Sequence, residues 1–329
     1  MISENEKKEL LKDDPYWFEE LFFRDLESWF SSDIACCDNC YDDFLKVWPH
    51  AYSANDNAFQ CSSIGLDAFY SGSRLSDYYT EDEFFKYLKT IECPRCGSAF
   101  EYNIWAYELP FNVVNSFELK IKEIETLAQS TPFLLLKNSF ANDVMDALFN
   151  LSTEVEPKFI NYSLYRARVA SQLKNLSASE FDFAPAQYVS EGRYNHAGHP
   201  VLYLGSNPET CYQEVRELPC YIAEIKITKN FKILDLTNTF DQDNDYSDLL
   251  STLVYSALLS AKQTGNGQHK PEYIFSRFVS DCAKFAGFDA IKYPSTRLSK
   301  DNFNIVILNK KLSISNGSEL VKIIEYKFT

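Results

Sequence analysis

Charged and hydroxyl side chains in the second half of the chain have types and spacing that suit an anionic sugar ligand. Arg166 and Arg168 are two residues apart in the strand-like run YRAR, so they share one strand face. Glu214 lies in a helical segment, and Ser295 follows the strand-like run FDAIKYP. Arginine forks pair with a diphosphate, and a carboxylate can hold a ribose hydroxyl and stabilise positive charge at an anomeric carbon. These residue types indicate a site for a sugar joined to a diphosphate.

The stretch EGRYNHAGHPVLYLGSNPETCYQEV predicts the elements that position Glu214. It starts as a turn that contains Arg193 and continues as a strand with Tyr203 near its middle. Asn207 then caps a helix with a proline in its first turn, and Glu214 follows about two turns later. The turn, the strand and the helix are expected to bring Arg193, Tyr203 and Glu214 to one pocket.

Other residues near this stretch also have purely structural interpretations. His196 and His199 could form a metal pair, but a turn without neighbouring carboxylates favours exposed polar residues. Tyr194 and Tyr203 could be core aromatics in a chain with 21 tyrosines. Arg168 could be a surface or ion-paired arginine.

Six of the nine cysteines lie in the first hundred residues, where four of them form two Cys-x2-Cys pairs. Cys37 pairs with Cys40, and Cys93 pairs with Cys96 in the knuckle-like run CPRCG. Tetrahedral zinc prefers four soft ligands in this spacing, which predicts a structural zinc site. The alternative is that these are ordinary buried thiols. Cys36 or Cys61 could replace one of the four proposed ligands.

Charge divides the chain in the same way as the cysteines. Residues 1–160 carry 29 acidic and 13 basic side chains, whereas the remainder carries 18 and 19. An acidic first half repels nucleic acid, so nucleic-acid binding is not expected, and the acidity also serves solubility. The N-terminus is too polar for a signal peptide and no apolar run suggests a membrane span, which favours a cytoplasmic protein.

Two domains of different class are predicted. Residues 1–155 form a mainly helical domain, with capping boxes at Ser3 and Thr80 and a helix that starts at Thr131. Pro15 is expected to break or kink the first helix. Residues 156–329 alternate short β-rich runs with two helices, so the chain as a whole belongs to the α+β class.

Four motifs of the second half resemble those of the RES domain family, which is named for its Arg, Glu and Ser. They are YRAR, GRYN, VLYLGSNPETCYQEV and FDAIKYPS, and they occur in the family's order over roughly residues 160–310. The resemblance implies a fold similar to ADP-ribosyltransferases. Characterised bacterial members are toxins that cleave NAD, releasing nicotinamide by hydrolysis or by transfer to phosphate, while some transfer ADP-ribose to a protein.

The resemblance assigns roles to individual residues. The family's Arg, Glu and Ser fall on Arg166, Glu214 and Ser295, which are expected to be catalytic. Glu214 is expected to face the nicotinamide ribose, and Ser295 to hydrogen-bond that ribose or an incoming phosphate. The same motifs place Arg193, Tyr194 and Tyr203 at the NAD site, with Arg166 and Arg193 on the phosphates or nearby hydroxyls.

One position departs from the family pattern. Where an aromatic residue often follows the family arginine, this chain has Ala167, and Tyr165 precedes the arginine instead. Tyr165 is therefore a further candidate for contact with NAD.

The resemblance leads to two hypotheses for the function. In the first, the chain is an NAD glycohydrolase or NAD phosphorylase that acts as a bacterial toxin or an antiphage defence effector. An antitoxin or a sensor protein would then restrain it. In the second, it is an ADP-ribosyltransferase that modifies a protein.

The first half resembles the HEPN-like helical segments that precede some RES domains. HEPN ribonucleases use an arginine followed four to six residues later by a histidine, and His50 has no arginine at that distance. This half is therefore interpreted as a zinc-stapled regulatory, sensing or dimerising domain, through which the chain could form homo-oligomers.

The zinc hypothesis predicts about one equivalent of zinc per purified chain, measured by atomic emission. Serine at Cys93 or Cys96 is expected to abolish retention, because each substitution removes one of four ligands. Cys282→Ser, far from both pairs in the sequence, is the matched control. Less than half an equivalent of zinc in the unmodified chain would contradict the hypothesis.

Overall fold

The computed structural model describes residues 15–29, 34–40, 63–93, 97–107, 114, 117–237, 246–259, 273–295 and 302–326. The chain divides into two compact units, residues 1–110 and residues 111–329. No helix in these described ranges is long and apolar enough to cross a membrane.

The first unit combines short helices with a three-stranded antiparallel sheet. Its helices are α1 (Pro15–Trp29), α2 (Leu66–Gly72), α3 (Leu75–Tyr78) and α4 (Glu81–Leu88). Its strands are β1 (Ile34–Cys37), β2 (Ile64–Gly65) and β3 (Asn103–Tyr107), in the order β1-β3-β2. Helices were expected here, but the sheet was not, because its strands are too short to show a clear alternation.

Local signals at the helix ends of this unit are partly confirmed. Thr80 and Glu83 form the predicted capping box, in which each side chain binds the other residue's backbone N–H. Pro15 is the first residue of α1, where proline removes only an N–H that has no helical partner. The residues before Pro15, on which the predicted break or kink depends, lie outside the described residues. The box predicted at Ser3 lies outside the described residues.

An aromatic core and one buried ion pair hold the first unit together. Phe18, Phe22 and Phe69 are fully buried, and the rings of Phe22 and Phe69 lie 4.9 Å apart in an edge-on arrangement. Asp25 is also fully buried, and its carboxylate accepts hydrogen bonds from the Arg74 backbone N–H and Nε, both at 2.7 Å. This pair joins α1 to the start of α3.

The two cysteine motifs meet in the first unit. The Cys37 backbone N–H donates to Cys93 Sγ at 3.3 Å, and both residues are buried. Cys61, Cys96 and the side chains of Cys36 and Cys40 lie outside the described residues. Among the residues that are described, no group of three or more His, Cys, Asp or Glu side chains could hold a metal ion. The zinc site therefore stays a prediction.

In its described residues the second unit has a seven-stranded mixed sheet with five α-helices, which confirms a mixed α/β domain in this half. The strands are β4 (Leu164–Val169), β5 (Leu202–Gly205), β6 (Cys220–Ile227), β7 (Ile233–Asp235), β8 (Ala290–Pro294), β9 (Phe303–Ile307) and β10 (Ser318–Tyr326). The helices are α5 (Phe117–Ser130), α6 (Ser139–Glu154), α7 (Pro208–Glu214), α8 (Ser247–Leu259) and α9 (Ile274–Phe285). The strand order is β10-β6-β4-β5-β9-β8-β7, and among these described strands β7 and β8 are the one parallel pair.

The sheet is joined in its middle by very few backbone contacts. Strands β4 and β6 pair over six positions and β5 and β9 over four, but β4 and β5 pair only at Tyr165 and Gly205. Beyond this pair the facing edges of β4 and β5 have backbone groups that the ladder does not use. This break in the ladder divides the sheet into two halves.

Apolar residues cover both faces of the sheet. The larger core contains Leu164, Leu204, Ile225 and Ile305, one from each of four strands. Successive residues of a strand point to opposite faces, so their neighbours point to the other side. There Cys211 of α7 packs with Cys220 and Ile222. Helix α7 therefore lies on the face opposite the larger core.

Residues 117–154 belong to the second compact unit, in which the predicted boundary at 155/156 also lies. Phe275 of α9 contacts the rings of Phe117 and Phe140 at 5.8 and 6.0 Å. The helix predicted from Thr131 is divided in two: residues Pro132–Lys137 form a 3-10 helix, and α6 starts at Ser139. Asn138 causes this division, because its side chain caps α6 by accepting the Ala141 N–H at 3.0 Å.

Candidate active site

Glu214 is the last residue of helix α7. Asn207 Oδ1 accepts the Thr210 N–H at 2.8 Å and Pro208 is the first helical residue, as predicted. The chain leaves the helix through Arg216 and Glu217, which both have a positive φ, near 58°. This conformation is unfavourable for residues other than glycine and turns the chain sharply just after Glu214.

A side chain from strand β9 fixes the Glu214 carboxylate. Asn304 Nδ2 donates to Glu214 Oε1 at 3.0 Å, and Asn304 is buried. On the neighbouring strand, Tyr293 of β8 is the direct Cα partner of Asn304. The carboxylate is thus held by the half of the sheet that contains β5, β8 and β9.

Arg193 lies half-buried between two tyrosine rings. Its guanidinium carbon is 5.4 Å from the ring centroid of Tyr293 and 5.8 Å from that of Tyr273, which are cation–π contacts. Burial alone would lower the pKa of Arg193, but the surrounding tyrosines and Glu214 outweigh this effect and raise it. Because burial raises the pKa of Tyr293 well above its ordinary value, that ring is neutral near pH 7. Negative charge for Arg193 comes from the Glu214 carboxylate.

Tyr203 closes the turn that contains Arg193. Its hydroxyl accepts the Tyr194 backbone N–H at 2.9 Å and donates to Asn195 Oδ1 at 3.0 Å. Burial raises the pKa of Tyr203 far above its ordinary value, so it keeps its proton. The Tyr203 side chain therefore positions the turn.

Tyr194 is also part of this cluster. It is 2% exposed, and its ring centroid lies 4.8 Å from that of Tyr293. Within the described part of the chain its hydroxyl is buried without a hydrogen-bond partner, and burial raises its pKa well above the ordinary value. Such a group is a donor that a bound ligand could satisfy.

Side chains of helix α9 hold the same turn through hydrogen bonds to its backbone. Ser276 Oγ donates to the Arg193 carbonyl and Ser280 Oγ to the Tyr194 carbonyl, both at 2.8 Å. Arg277 adds an ion pair with Glu191 at 3.3 Å. Ser276, Ser280 and Arg277 have a structural role, since they fix the backbone on both sides of the Arg193 side chain.

The two histidines of the turn lie at its exposed end. His196 Nε2 lies 2.8 Å from Asp281 Oδ2, and both side chains are largely exposed. The His196 and His199 rings are 6.0 Å apart. Asp281 is the carboxylate partner that local sequence did not reveal, and it gives His196 a contact with α9.

Arg166 lies at the break between β4 and β5. Its Nη1 donates to the Tyr203 carbonyl at 3.2 Å, and its buried Nε has no hydrogen-bond partner among the described residues. Burial and the charge of Arg168 lower the pKa of Arg166 to about 10, so it remains a cation near pH 7. Arg166 is therefore a half-buried cation with an unused donor, next to the strand that carries Tyr203.

Ser295 connects to the other end of α7. It is fully buried, and its backbone N–H donates to the Asn302 carbonyl at 2.9 Å. Asn302 Oδ1 in turn accepts from Asn207 Nδ2 at 2.5 Å. Ser295 is thus linked to the cap of the helix that ends at Glu214.

Tyr165 lies on the opposite side of β4 from Arg166. Its side chain packs against the cluster of Cys211, Cys220 and Ile222. Cys211 Sγ donates to the Tyr165 carbonyl at 3.1 Å, and burial raises the pKa of this thiol to about 12. The structure does not bring the Tyr165 ring to the face on which Arg166 lies.

Sequence comparison identifies the second half of the chain. The RES domain family matches residues 163–324. This chain contains a RES domain. The match confirms the resemblance seen in the four sequence motifs, all of which lie within the matched residues. No curated protein sequence matches the chain.

A comparison with solved structures found seven similar chains. The RES-containing chain is similar to a chain in the crystal structure of the M. tuberculosis MbcT–MbcA toxin–antitoxin complex, with a TM-score of 0.37 and 14% sequence identity. The similarity covers 57% of this chain and 92% of that chain. The HEPN-like resemblance of the first half stays a prediction.

Three residues of the cluster were not predicted from sequence. Asn304 binds Glu214, while Tyr273 and Tyr293 flank Arg193. Asn304 had a recognisable signal, since it is a buried polar residue in the apolar strand run FNIVIL. Tyr293 lies within the recognised motif KYPS but is one of many tyrosines, and Tyr273 lies outside every motif.

Removing the two serine anchors of α9 is expected to loosen the Arg193 turn. Ser276→Ala with Ser280→Ala leaves two carbonyls without their donors, and each lost bond destabilises by about 1 kcal/mol. Amide hydrogen exchange at residues 193–196 should become faster and the melting temperature should fall. Ser171→Ala, at an exposed position of the same unit, is the control. Unchanged exchange in the double variant would contradict the anchoring role.

Proposed function

We propose that the RES domain consumes NAD by cleaving the bond between nicotinamide and ribose. The observation that carries this proposal is that Glu214 accepts a hydrogen bond from buried Asn304 and raises the pKa of Arg193, in a domain that the RES family matches. Arg166 lies nearby as a cation with unused hydrogen-bonding capacity. These groups complement the two chemical features of NAD, an anionic diphosphate and a ribose that carries a cationic leaving group.

Glu214 has the geometry expected of an electrostatic stabiliser. As the ribose C1′–N bond breaks, its electron pair moves to the nicotinamide nitrogen, and the ribose gains oxocarbenium character. A carboxylate held at a fixed angle stabilises that positive charge without reorganising. Asn304 supplies the fixed angle through its hydrogen bond to Oε1. The oxygen of the acceptor then bonds to C1′ and loses a proton.

Arg193 fits a positioning role better than the phosphate contact expected from sequence. Its guanidinium is enclosed by Tyr273 and Tyr293 and is influenced by Glu214. A cation in this place attracts the carboxylate and helps to orient it. Arg166 is then the arginine that binds the diphosphate.

The remaining predicted residues are given supporting roles. Ser295 hydrogen-bonds the nicotinamide ribose or an incoming phosphate, and Tyr194 lines the pocket with its buried hydroxyl. Tyr203 keeps the turn in place, since both hydrogen bonds of its hydroxyl go to the turn. The place of Tyr165 in the apolar cluster behind β4 supports a packing role.

The biological role proposed for this activity is that of a bacterial toxin or antiphage defence effector. Depletion of NAD would arrest the cell, so the activity needs restraint by the first unit, by an antitoxin or by a sensor protein. A zinc staple and homo-oligomer formation in the first unit are part of this proposal.

The test is NAD consumption by the full-length chain with and without inorganic phosphate. Replacing Glu214 with glutamine keeps the shape but removes the charge, and should lower kcat by two to three decades, which corresponds to about 3–4 kcal/mol of barrier. Glu217→Gln, three residues later and exposed, is the matched control and should leave kcat within about twofold.

The products distinguish the possible acceptors. Free nicotinamide with ADP-ribose indicates water, and ADP-ribose 1″-phosphate indicates phosphate. A labelled ADP-ribose group attached to protein would favour the ADP-ribosyltransferase hypothesis. Absence of NAD turnover by folded protein under all these conditions would contradict the proposed function.

A further inference from the structure

Two arginines share one face of strand β4. Leu164, Arg166 and Arg168 alternate with Tyr165 and Ala167, so the three point to the same side as the larger core. Their Cα partners on β6 are Ile225, Ala223 and Tyr221. Ala223 and Tyr221 therefore provide no negative charge for the two arginines.

Both arginines lack the partners that buried arginines normally have. The Nε–H groups of Arg166 and Arg168 are buried and donate to no acceptor within the described ranges. The hydrogen bond of Arg166 to the Tyr203 carbonyl is a bond to a neutral group. The side chain of Arg168 makes no hydrogen bond or ion pair with any residue in the described part of the chain.

The nearest influence of opposite charge is weak. Asp182 raises the pKa of Arg166 slightly against burial and the repulsion by Arg168, which together lower it. Asp182 forms no ion pair with either arginine within 4.0 Å, and its Oδ1 accepts the Phe183 N–H at 2.9 Å. Two adjacent cations are thus kept at least partly out of water without a neutralising anion, which is unfavourable for the free protein.

We propose that Arg168 is a second anion-binding residue, which together with Arg166 binds the diphosphate of the dinucleotide. The two side chains are neighbours on one strand face, about 6.7 Å apart along the strand, so they can reach adjacent phosphates. Each guanidinium presents a planar fork suited to phosphate oxygens. A bound diphosphate would supply the negative charge that this strand face lacks.

This proposal takes the nature of the ligand from the proposed function, but its test is independent of turnover. Binding of ADP, AMP and adenosine to the full-length chain is measured by calorimetry. None of the three contains the nicotinamide–ribose bond, so none is consumed. ADP should bind more tightly than AMP, and AMP more tightly than adenosine, because affinity follows the number of phosphates.

Arg168→Gln should weaken ADP binding about 10- to 100-fold and leave adenosine binding unchanged, as expected for loss of a charged hydrogen-bonding partner. Arg168→Lys should give an intermediate loss, since it keeps the charge but not the fork. Lys174→Gln removes a charge at an exposed position of the same unit and is the matched control.

Kinetics provide a second readout for the same variants. Arg168→Gln should raise KM for NAD while kcat stays within about threefold, because the diphosphate contact is the same in the ground and transition states. Glu214→Gln should show the opposite pattern. If NAD is not consumed but Arg168→Gln still loses ADP, the anion site stands and the proposed reaction fails.

Three results would overturn the proposal. One is no detectable ADP binding to the unmodified chain. Another is unchanged ADP affinity in a folded Arg168→Gln or Arg168→Lys variant. The third is an equal loss of adenosine and ADP binding, which would show that Arg168 supports the fold of the pocket. Melting temperatures identify folded variants, and Arg168→Lys keeps the test valid if the glutamine variant does not fold.

Discussion

The cluster around Glu214 depends on holding the charged Arg193 guanidinium partly out of water between two tyrosine rings. Burial of a cation is unfavourable unless its surroundings return electrostatic stabilisation. Here Tyr273 and Tyr293 offer their ring faces, and Glu214 offers the negative charge. Each of these residues comes from a different element, so α7, β8 and the start of α9 must meet around the turn that carries Arg193. The serines of α9 and the hydroxyl of Tyr203 then hold the backbone of that turn.

The break in the pairing of β4 with β5 separates the Glu214 cluster from a second charged region. Glu214 and its partners lie with the half that contains β5, β8 and β9, whereas Arg166 and Arg168 lie on β4. A molecule that spans β4 and β5 would meet cations on one side and a carboxylate on the other. NAD has the matching polarity, with its diphosphate and its pyridinium-bearing ribose joined by a short link. The proposed reaction uses this separation, since binding and charge stabilisation fall on different side chains.

Local patterns in the sequence predicted the parts of this arrangement that depend on neighbouring residues. Asn207 and Pro208 start α7 as expected, and Thr80 with Glu83 forms its capping box, because each depends on contacts within one turn. The motifs around Arg166, Arg193 and Glu214 were enough to identify the RES domain. Tyr273, Asn304 and the α9 serines act through long-range contacts that no local spacing encodes. Tyr165 stays a predicted contact with NAD, and its ring packs with the Cys211 cluster on the side of β4 opposite to Arg166.

The most direct measurement is a crystal structure of the Glu214→Gln variant with NAD, in which cleavage is slowed. The proposal predicts that C1′ of the nicotinamide ribose lies against the side chain at position 214 and that the diphosphate lies within hydrogen-bonding distance of Arg166. Binding of NAD away from Glu214, or with its adenosine end at that residue, would contradict the assignment of this cluster as the site of cleavage.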